Sequence, residues 1–338
     1  MIKVSFTKKI FNFKRPSGTS RGILTEKQSW FLHVWNNEAP NIIGIGECSV
    51  IPGLSPDFSS TVAYEEKLTA TCLNIDTDLT QWPSILFGLE TALMDLKNGG
   101  TGIIFNNDFA VGKQKIPING LIWMGDVDFM LQQIDEKIEE GFSTLKMKIG
   151  AINFDSEIKI LHSIRKKYSK EEITLRVDAN GAFSFDTALD RLTILAELDI
   201  HSIEQPIKAG YWSEMHHLCM KSPLKIALDE ELIGIHNSEN KKRLLETIQP
   251  SFIILKPSLH GGIAGCQEWI KLAEMQNIDW WITSALESNI GLNAICQFVA
   301  EYDIHLPQGL GTGGLYTNNI SSNLYVEQGM ISIVNAQS

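Results

Sequence analysis

From about residue 116 the chain repeats one pattern eight times: a short apolar run, a polar turn, then in most repeats an amphipathic stretch with helical spacing. The predicted strands are Ile116–Leu121, Thr144–Lys148, Thr174–Asp178, His201–Glu204, Lys225–Asp229, Phe252–Lys256, Asp279–Thr283 and Ile304–Leu306. Predicted helices between them include Val127–Glu140, Phe154–Lys167, Asp186–Leu198, Lys241–Thr247, Ile263–Met275 and Leu292–Ala300. Strands that return every 25 to 30 residues, each with a crossover helix, predict an α/β fold closed as a parallel TIM-type barrel. A doubly wound open sheet is the alternative, but its glycine-rich phosphate turn after the first strand is missing.

The first 112 residues read differently. Alternating apolar positions, Val4/Phe6 and Phe11/Phe13, predict half-buried strands, as does Ser29–Trp35. Turn-rich stretches follow at Pro16–Ser20 and Ile51–Pro56, then helices over Thr61–Cys72 and Ser84–Lys97. Strands followed by helices predict a compact α+β unit. The expected division is therefore an N-terminal α+β domain over 1–112, a barrel over 113–314 and a terminal segment over 315–338.

In all, 43% of the 338 residues are hydrophobic, enough for a large core. The formal net charge of −11 repels phosphate backbones and anionic lipid, so neither nucleic acid nor membrane is expected as a partner. No apolar run reaches the length of a membrane span, and the N-terminus lacks the pattern of a signal peptide. The five cysteines are scattered, odd in number and without a CxxC pair, which predicts free thiols in a cytoplasmic protein.

The ionisable residues fall where a barrel places its chemistry. Lys146 and Lys148 close the second strand, Asp178 the third, Glu204 the fourth, Asp229 the fifth and Lys256 the sixth. From Lys148 the steps are 30, 26, 25 and 27 residues. In a parallel barrel every such position faces the C-terminal mouth. Carboxylates on three adjacent strand ends can converge on one hard divalent cation, and Mg²⁺ fits best because it keeps positions open for oxygen ligands, with Mn²⁺ a substitute. Zinc would want His or Cys, and no histidine sits at a corresponding strand end.

Lys146 and Lys148 are two apart on a strand and share a face. Crowding two ammonium groups disfavours the charged form of one, which could then serve as a base. Lys256 approaches from the opposite side. A cation that holds a carboxylate, flanked by lysines, is a device for taking the proton α to that carboxylate and stabilising the enediolate.

The stretches Val177-Asp178-Ala179-Asn180-Gly181, Ile203-Glu204-Gln205-Pro206 and Leu255-Lys256-Pro257, with the Lys-x-Lys pair and Asp229, resemble the enolase superfamily in its muconate-lactonizing subgroup. Ser20–Gly22, Ile51–Ser55, Ser284–Ser288 and Gly309–Gly313 extend the resemblance over the chain. It implies an N-terminal capping domain over a modified (β/α)₇β barrel, with the last segment returning to the cap. It also implies Asp178, Glu204 and Asp229 as Mg²⁺ ligands, Lys148 as the base, and Lys256 as a cation over the substrate ring, with Lys146 beside them. The activity implied is syn-elimination of water from a small carboxylate, a succinyl-substituted cyclohexadiene, in menaquinone biosynthesis. The rivals are an N-acylamino acid racemase, a dipeptide epimerase and a non-catalytic barrel scaffold. The epimerases of the subgroup carry Asp-x-Asp at the eighth strand end, where this chain reads Leu306-Pro307-Gln308-Gly309-Leu310-Gly311.

Substrate contacts are expected from Arg21 in a lid loop, Ser284 at the seventh strand end and Thr312 in the glycine-rich stretch. Glu230 and Glu231 are expected just behind the metal ligands or at the rim, since only one residue of an Asp-Glu-Glu run can point at the metal.

Overall fold

The computed structural model describes residues 1–19 and 22–334. Strands β1 (Ile2–Thr19), β2 (Gly22–Asn36) and β3 (Ala39–Ser49) form an antiparallel sheet in that order. The two halves of β1 bury opposite faces. Ile2, Val4 and Phe6 turn toward helices α1 (Thr61–Leu73) and α2 (Pro83–Lys97), while Phe11 and Phe13 meet Phe31 and Tyr316 on the other side. Pro83, which lacks an N–H, opens α2 where that donor would be unsatisfied. β3 and α2 touch backbone to backbone: a Cβ on Gly46 would lie 1.9 Å from the Gly88 carbonyl oxygen, so no side chain fits there.

The second unit opens with β4 (Ile116–Pro117), β5 (Gly120–Ile122), α3 (Val127–Glu139), β6 (Thr144–Lys148), α4 (Phe154–Lys167), β7 (Thr174–Asp178) and α5 (Phe185–Ala196). It continues through β8 (Ser202–Glu204), α6 (Trp212–Lys221), β9 (Ile226–Leu228), α7 (Ser238–Ile248), β10 (Phe252–Leu255), α8 (Gly262–Glu274), β11 (Asp279–Ile282) and α9 (Asn289–Val299). β5 to β11 form one seven-stranded parallel sheet in sequence order. Parallel bridges from Thr283 to Gly309 and from Gln308 to Ile118 join its two edges, so the sheet curls into a barrel. This is the TIM-type barrel that the patterning predicts, in the (β/α)₇β form that the family resemblance implies.

Two strand expectations are corrected. Ile116–Leu121 is two strands, because Pro117 cannot donate to a ladder and the chain changes partners after it. Ile304–Leu306 is not a strand, since Pro307 follows at once; two bridging residues, Gln308 and Gly309, stand in the eighth place. Gly309 is required there, as a Cβ would lie 2.2 Å from the Thr283 hydroxyl. Helix α6 escapes the patterning, having only Met215 and Leu218 as buried residues.

After the barrel the chain runs beside β1, where Lys14 N donates to Leu315 O at 2.8 Å and Thr317 N to Asn12 O at 2.9 Å. It ends in a hairpin, β12 (Leu324–Glu327) and β13 (Met330–Ile333), which pairs with β4. All five cysteines are free, and burial pushes the Cys219 thiol up to about 12, which suits inert packing rather than nucleophilic chemistry. Among the described residues no helix is long and apolar enough to cross a membrane.

Candidate active site

Asp178 ends β7 and Glu204 ends β8, while Asp229 and Lys256 are the first residues past β9 and β10. Parallel register sets Lys148 opposite Asp178 and Asp178 opposite Glu204. On β6, Lys146 and Lys148 face inward and Met147 is buried in the core between the layers. All six ionisable side chains line one hollow of about 110 Å³ at the barrel mouth. Ile51 and Leu54 from the cap roof it, and Ser284 and Thr312 form another wall, their hydroxyls 2.5 Å apart. Arg21 lies outside the described residues.

The charges interlock. Lys146 Nζ is 3.0 Å from Asp178 Oδ2 and 2.5 Å from Glu204 Oε2. Lys148 donates to the same Asp178 oxygen at 3.0 Å and to Asn180 Oδ1 at 2.8 Å, and Lys256 donates to Asp229. Burial opposes charge on Lys146, but Asp178, Glu204 and Asp229 outweigh it and hold this lysine above its ordinary value. Lys146 is therefore not the lysine whose charged form crowding disfavours. Burial likewise opposes charge on Lys256, yet Asp229 and Glu204 keep it above its ordinary value. On the acid side, burial is outweighed at Asp178 by Lys146 and Lys148, which hold that carboxyl well below the usual range. Glu204 goes the other way: burial, then the neighbouring Asp178, push it well above.

The donor set fits a divalent cation. Glu204 Oε1 and Asp229 Oδ1 are buried acceptors without any hydrogen-bond donor, and Glu204 Oε2 meets Lys146 as an ion pair without hydrogen-bond alignment. Orphaned carboxylate oxygens in a buried, mutually repelling group are costly without a cation. Among the described residues, however, no three acidic, histidine or cysteine side chains are already drawn round one point; the carboxylates are turned onto the ammonium groups instead.

Other residues complete the site. Asn180, at φ 43°, bridges Lys148 and Glu230, donating to Glu230 Oε1 at 3.0 Å. The left-handed backbone there is one that Asn tolerates better than most residues. The Asp-Glu-Glu run separates as its geometry requires. Glu230 lines the hollow, whereas Glu231 turns away to accept from Gly210 N at 2.7 Å and from Gln205 Nε2 at 3.1 Å. Gln205 also receives Asp229 N at 3.2 Å, tying the end of β8 to that of β9. Asn119, which sequence patterning places inside an apolar run, lines the hollow as well. Below, Arg176 stacks on Trp281 at 4.2 Å and fills the barrel, so Trp281 belongs to the core.

A seven-stranded parallel barrel under an antiparallel cap, with acids and lysines on consecutive strand ends, defines a class, and comparison agrees. Residues 130–336 match the enolase C-terminal domain-like family, and the chain belongs to that family, the enolase superfamily. Within it the chain is 45% identical to the o-succinylbenzoate synthase of Desulfotalea psychrophila, over 98% of this chain and 99% of that one. The crystal structure of MenC from the same organism superposes with a TM-score of 0.84 at 41% identity, covering 98% and 99% of the two chains. The D-Ala-D/L-Ala epimerase of Cytophaga hutchinsonii is 26% identical over 91% of this chain and 87% of its own.

Proposed function

We infer that this chain is a lyase that removes water from 2-succinyl-6-hydroxy-2,4-cyclohexadiene-1-carboxylate to give 2-succinylbenzoate. The observation that carries the reading is the full-length 45% identity to an o-succinylbenzoate synthase. The site supports it. Asp178, Glu204 and Asp229 would hold Mg²⁺, which when bound supplies the positive charge that makes an enediolate accessible. Lys148 takes the proton from C1 of the ring, and the C–H electrons move into the carboxylate as the enediolate. The same lysine then returns its proton to the hydroxyl at C6 on the same face. The C6–O bond breaks, water leaves, the ring becomes aromatic, and Lys148 is a neutral amine again. Asn180 orients Lys148 through the 2.8 Å bond to its Nζ.

Lys256 stands on the opposite side as a fixed cation over the developing enediolate. Asp229 holds it charged, which favours electrostatic stabilisation over proton abstraction. Lys146, bridging two carboxylates, has the same fixed-charge character. The eighth-strand place argues against dipeptide substrates: Leu310 is buried and Gly311 lines the hollow, so no acid there can hold an ammonium group. The small product would enter menaquinone synthesis in the cytoplasm.

The test is turnover of the purified protein with Mg²⁺ on the cyclohexadiene substrate, beside N-succinyl amino acids and dipeptides. Rapid dehydration with little racemisation is expected. Fast racemisation of an N-succinyl amino acid without dehydration would replace this reading with the racemase.

A further inference from the structure

Seven described residues other than glycine sit at positive φ, and six of them are Asn, Asp or Gln. Leu286, at φ 61°, is the seventh and alone is apolar. Asn and Asp visit this left-handed region most readily, whereas a bulky apolar residue stays there only when its surroundings hold it. Strain of this kind gathers at working sites, and Leu286 lines the hollow at the barrel mouth beside Ser284 and Ala285.

Leu286 is held from three directions. Its N–H donates to Ser284 Oγ at 3.3 Å, inside its own loop. Its carbonyl accepts from the Tyr316 hydroxyl at 2.6 Å, on the chain that follows the barrel. Its side chain packs with Phe11, Phe13 and Phe31 of the cap. The residues on either side are anchored too. The Ala285 carbonyl accepts from Ser49 Oγ at 3.4 Å, and Glu287 accepts from Ser258 Oγ at 2.5 Å. The Tyr316 bond is the shorter of the two to the strained backbone itself. Its ring is 3% exposed and stands 5.1 Å from Phe11 and 4.9 Å from Phe13, so it has little freedom to swing away. Burial, with Glu47 and Glu287 nearby, pushes the phenol well up, so it stays protonated and able to donate.

We propose that the Tyr316 hydroxyl is the catch that keeps Leu286 left-handed, which makes Tyr316 a positioning residue for the wall that Leu286 presents to the substrate, an inference that rests on the dehydration reading for its substrate alone. Without the catch, Leu286 relaxes to negative φ and its side chain leaves the wall. Leu286 carries no proton in the reaction, so the loss falls on ground state and transition state alike and is read in KM.

Tyr316→Phe removes one oxygen and keeps the ring among its aromatic neighbours. With Mg²⁺ and the cyclohexadiene substrate, KM should rise about tenfold, the size of one net hydrogen bond, while kcat stays within about twofold. In Leu286→Gly, glycine holds positive φ unaided, so adding Tyr316→Phe should leave that variant's KM unmoved. Leu286→Asn takes its place if Leu286→Gly fails to fold, because Asn tolerates this region. A crystal structure of Tyr316→Phe should show Leu286 at negative φ. An unchanged KM, an equal rise in both backgrounds, or Leu286 still near 61° overturns the assignment. Wild type that turns over no cyclohexadiene, with Leu286 released in the Tyr316→Phe crystal, would sink the dehydration reading alone.

Discussion

Glu90 provides a test of how the cap holds the barrel. It lies on α2 and reaches across to the first turn of α8, accepting from Ile263 N at 2.7 Å and Ala264 N at 3.4 Å. Gly262 makes the approach possible, since a Cβ there would lie 2.1 Å from Glu90 Oε2. Burial pushes the carboxyl from its ordinary 4.5 up to about 7, and the two N–H bonds offset only part of that rise. The folded state therefore binds this proton more tightly than the unfolded chain does. Stability from this group is fully present below pH 4.5 and is lost as the pH rises through about 7. A shift of that size is worth about 3 kcal/mol, or about 4 °C in melting temperature for a protein of this length.

Glu90→Gln keeps an acceptor for Ile263 N and removes the titration. The wild type and the variant should be melted in parallel between pH 4.5 and 8. The variant should gain on the wild type as the pH rises, and by pH 8 its relative melting temperature should have climbed by about 4 °C. The slope matters more than the offset, because Gln can repack at a constant cost. Two curves that stay parallel across the window would refute the argument and leave Glu90 an ordinary solvated acid.

Glu47 is buried between cap and barrel and accepts from Ser29 Oγ, Ser288 N, Ser288 Oγ and Gly291 N, with buried Lys27 close by. Glu47→Gln should lower the melting temperature, because it leaves buried Lys27 with Glu287 in place of two facing acids; an unchanged melting point would mean that Glu287 alone suffices or that Lys27 is neutral. Asp178→Asn, Glu204→Gln and Asp229→Asn should each abolish dehydration while circular dichroism stays native, and near-wild-type activity at limiting Mg²⁺ would remove that residue from the ligand set. Lys256→Arg keeps the charge and should retain measurable dehydration, whereas Lys148→Ala should not. Complete loss in a folded Lys256→Arg would make Lys256 a proton carrier.

The barrel is legible in the sequence because parallel strands buried on both faces read as apolar runs, and five consecutive runs, the second to the sixth, stop at an ionisable residue that has to face the mouth. Asp178, Glu204, Asp229 and Lys256 could therefore be placed without coordinates. Pro117 and Pro307 mark the two places where the pattern misleads, since each ends a run that otherwise resembles a strand. The cap is harder. Lys27 and Ser29 lie in the polar run Glu26–Ser29 of β2, and Glu47 and Ser49 flank Cys48 on β3, the pattern of a solvated sheet face, yet all four are buried. Alternation shows that a face is polar; whether water or another domain covers it depends on packing between segments more than 230 residues apart, such as Glu47 and Ser288.

The same distinction separates the strand-end cluster from the hollow beside it. Proton abstraction needs particular side chains at particular strand ends, so register alone brings them together. The second hollow has no such constraint. It is assembled from residues 14–15, 119–142 and 311–315, three stretches that no periodicity links. Among the described residues no helix follows the Gln308–Gly309 bridges before β12, so the place of an eighth barrel helix is left to an irregular chain. Phe129 and Phe142 line the second hollow there. Asn119 sits where this gap meets the mouth. In the sequence it is a polar interruption between Ile118 and Gly120, readable as a turn; only closure of the barrel beside it leaves its Oδ1 buried without a partner.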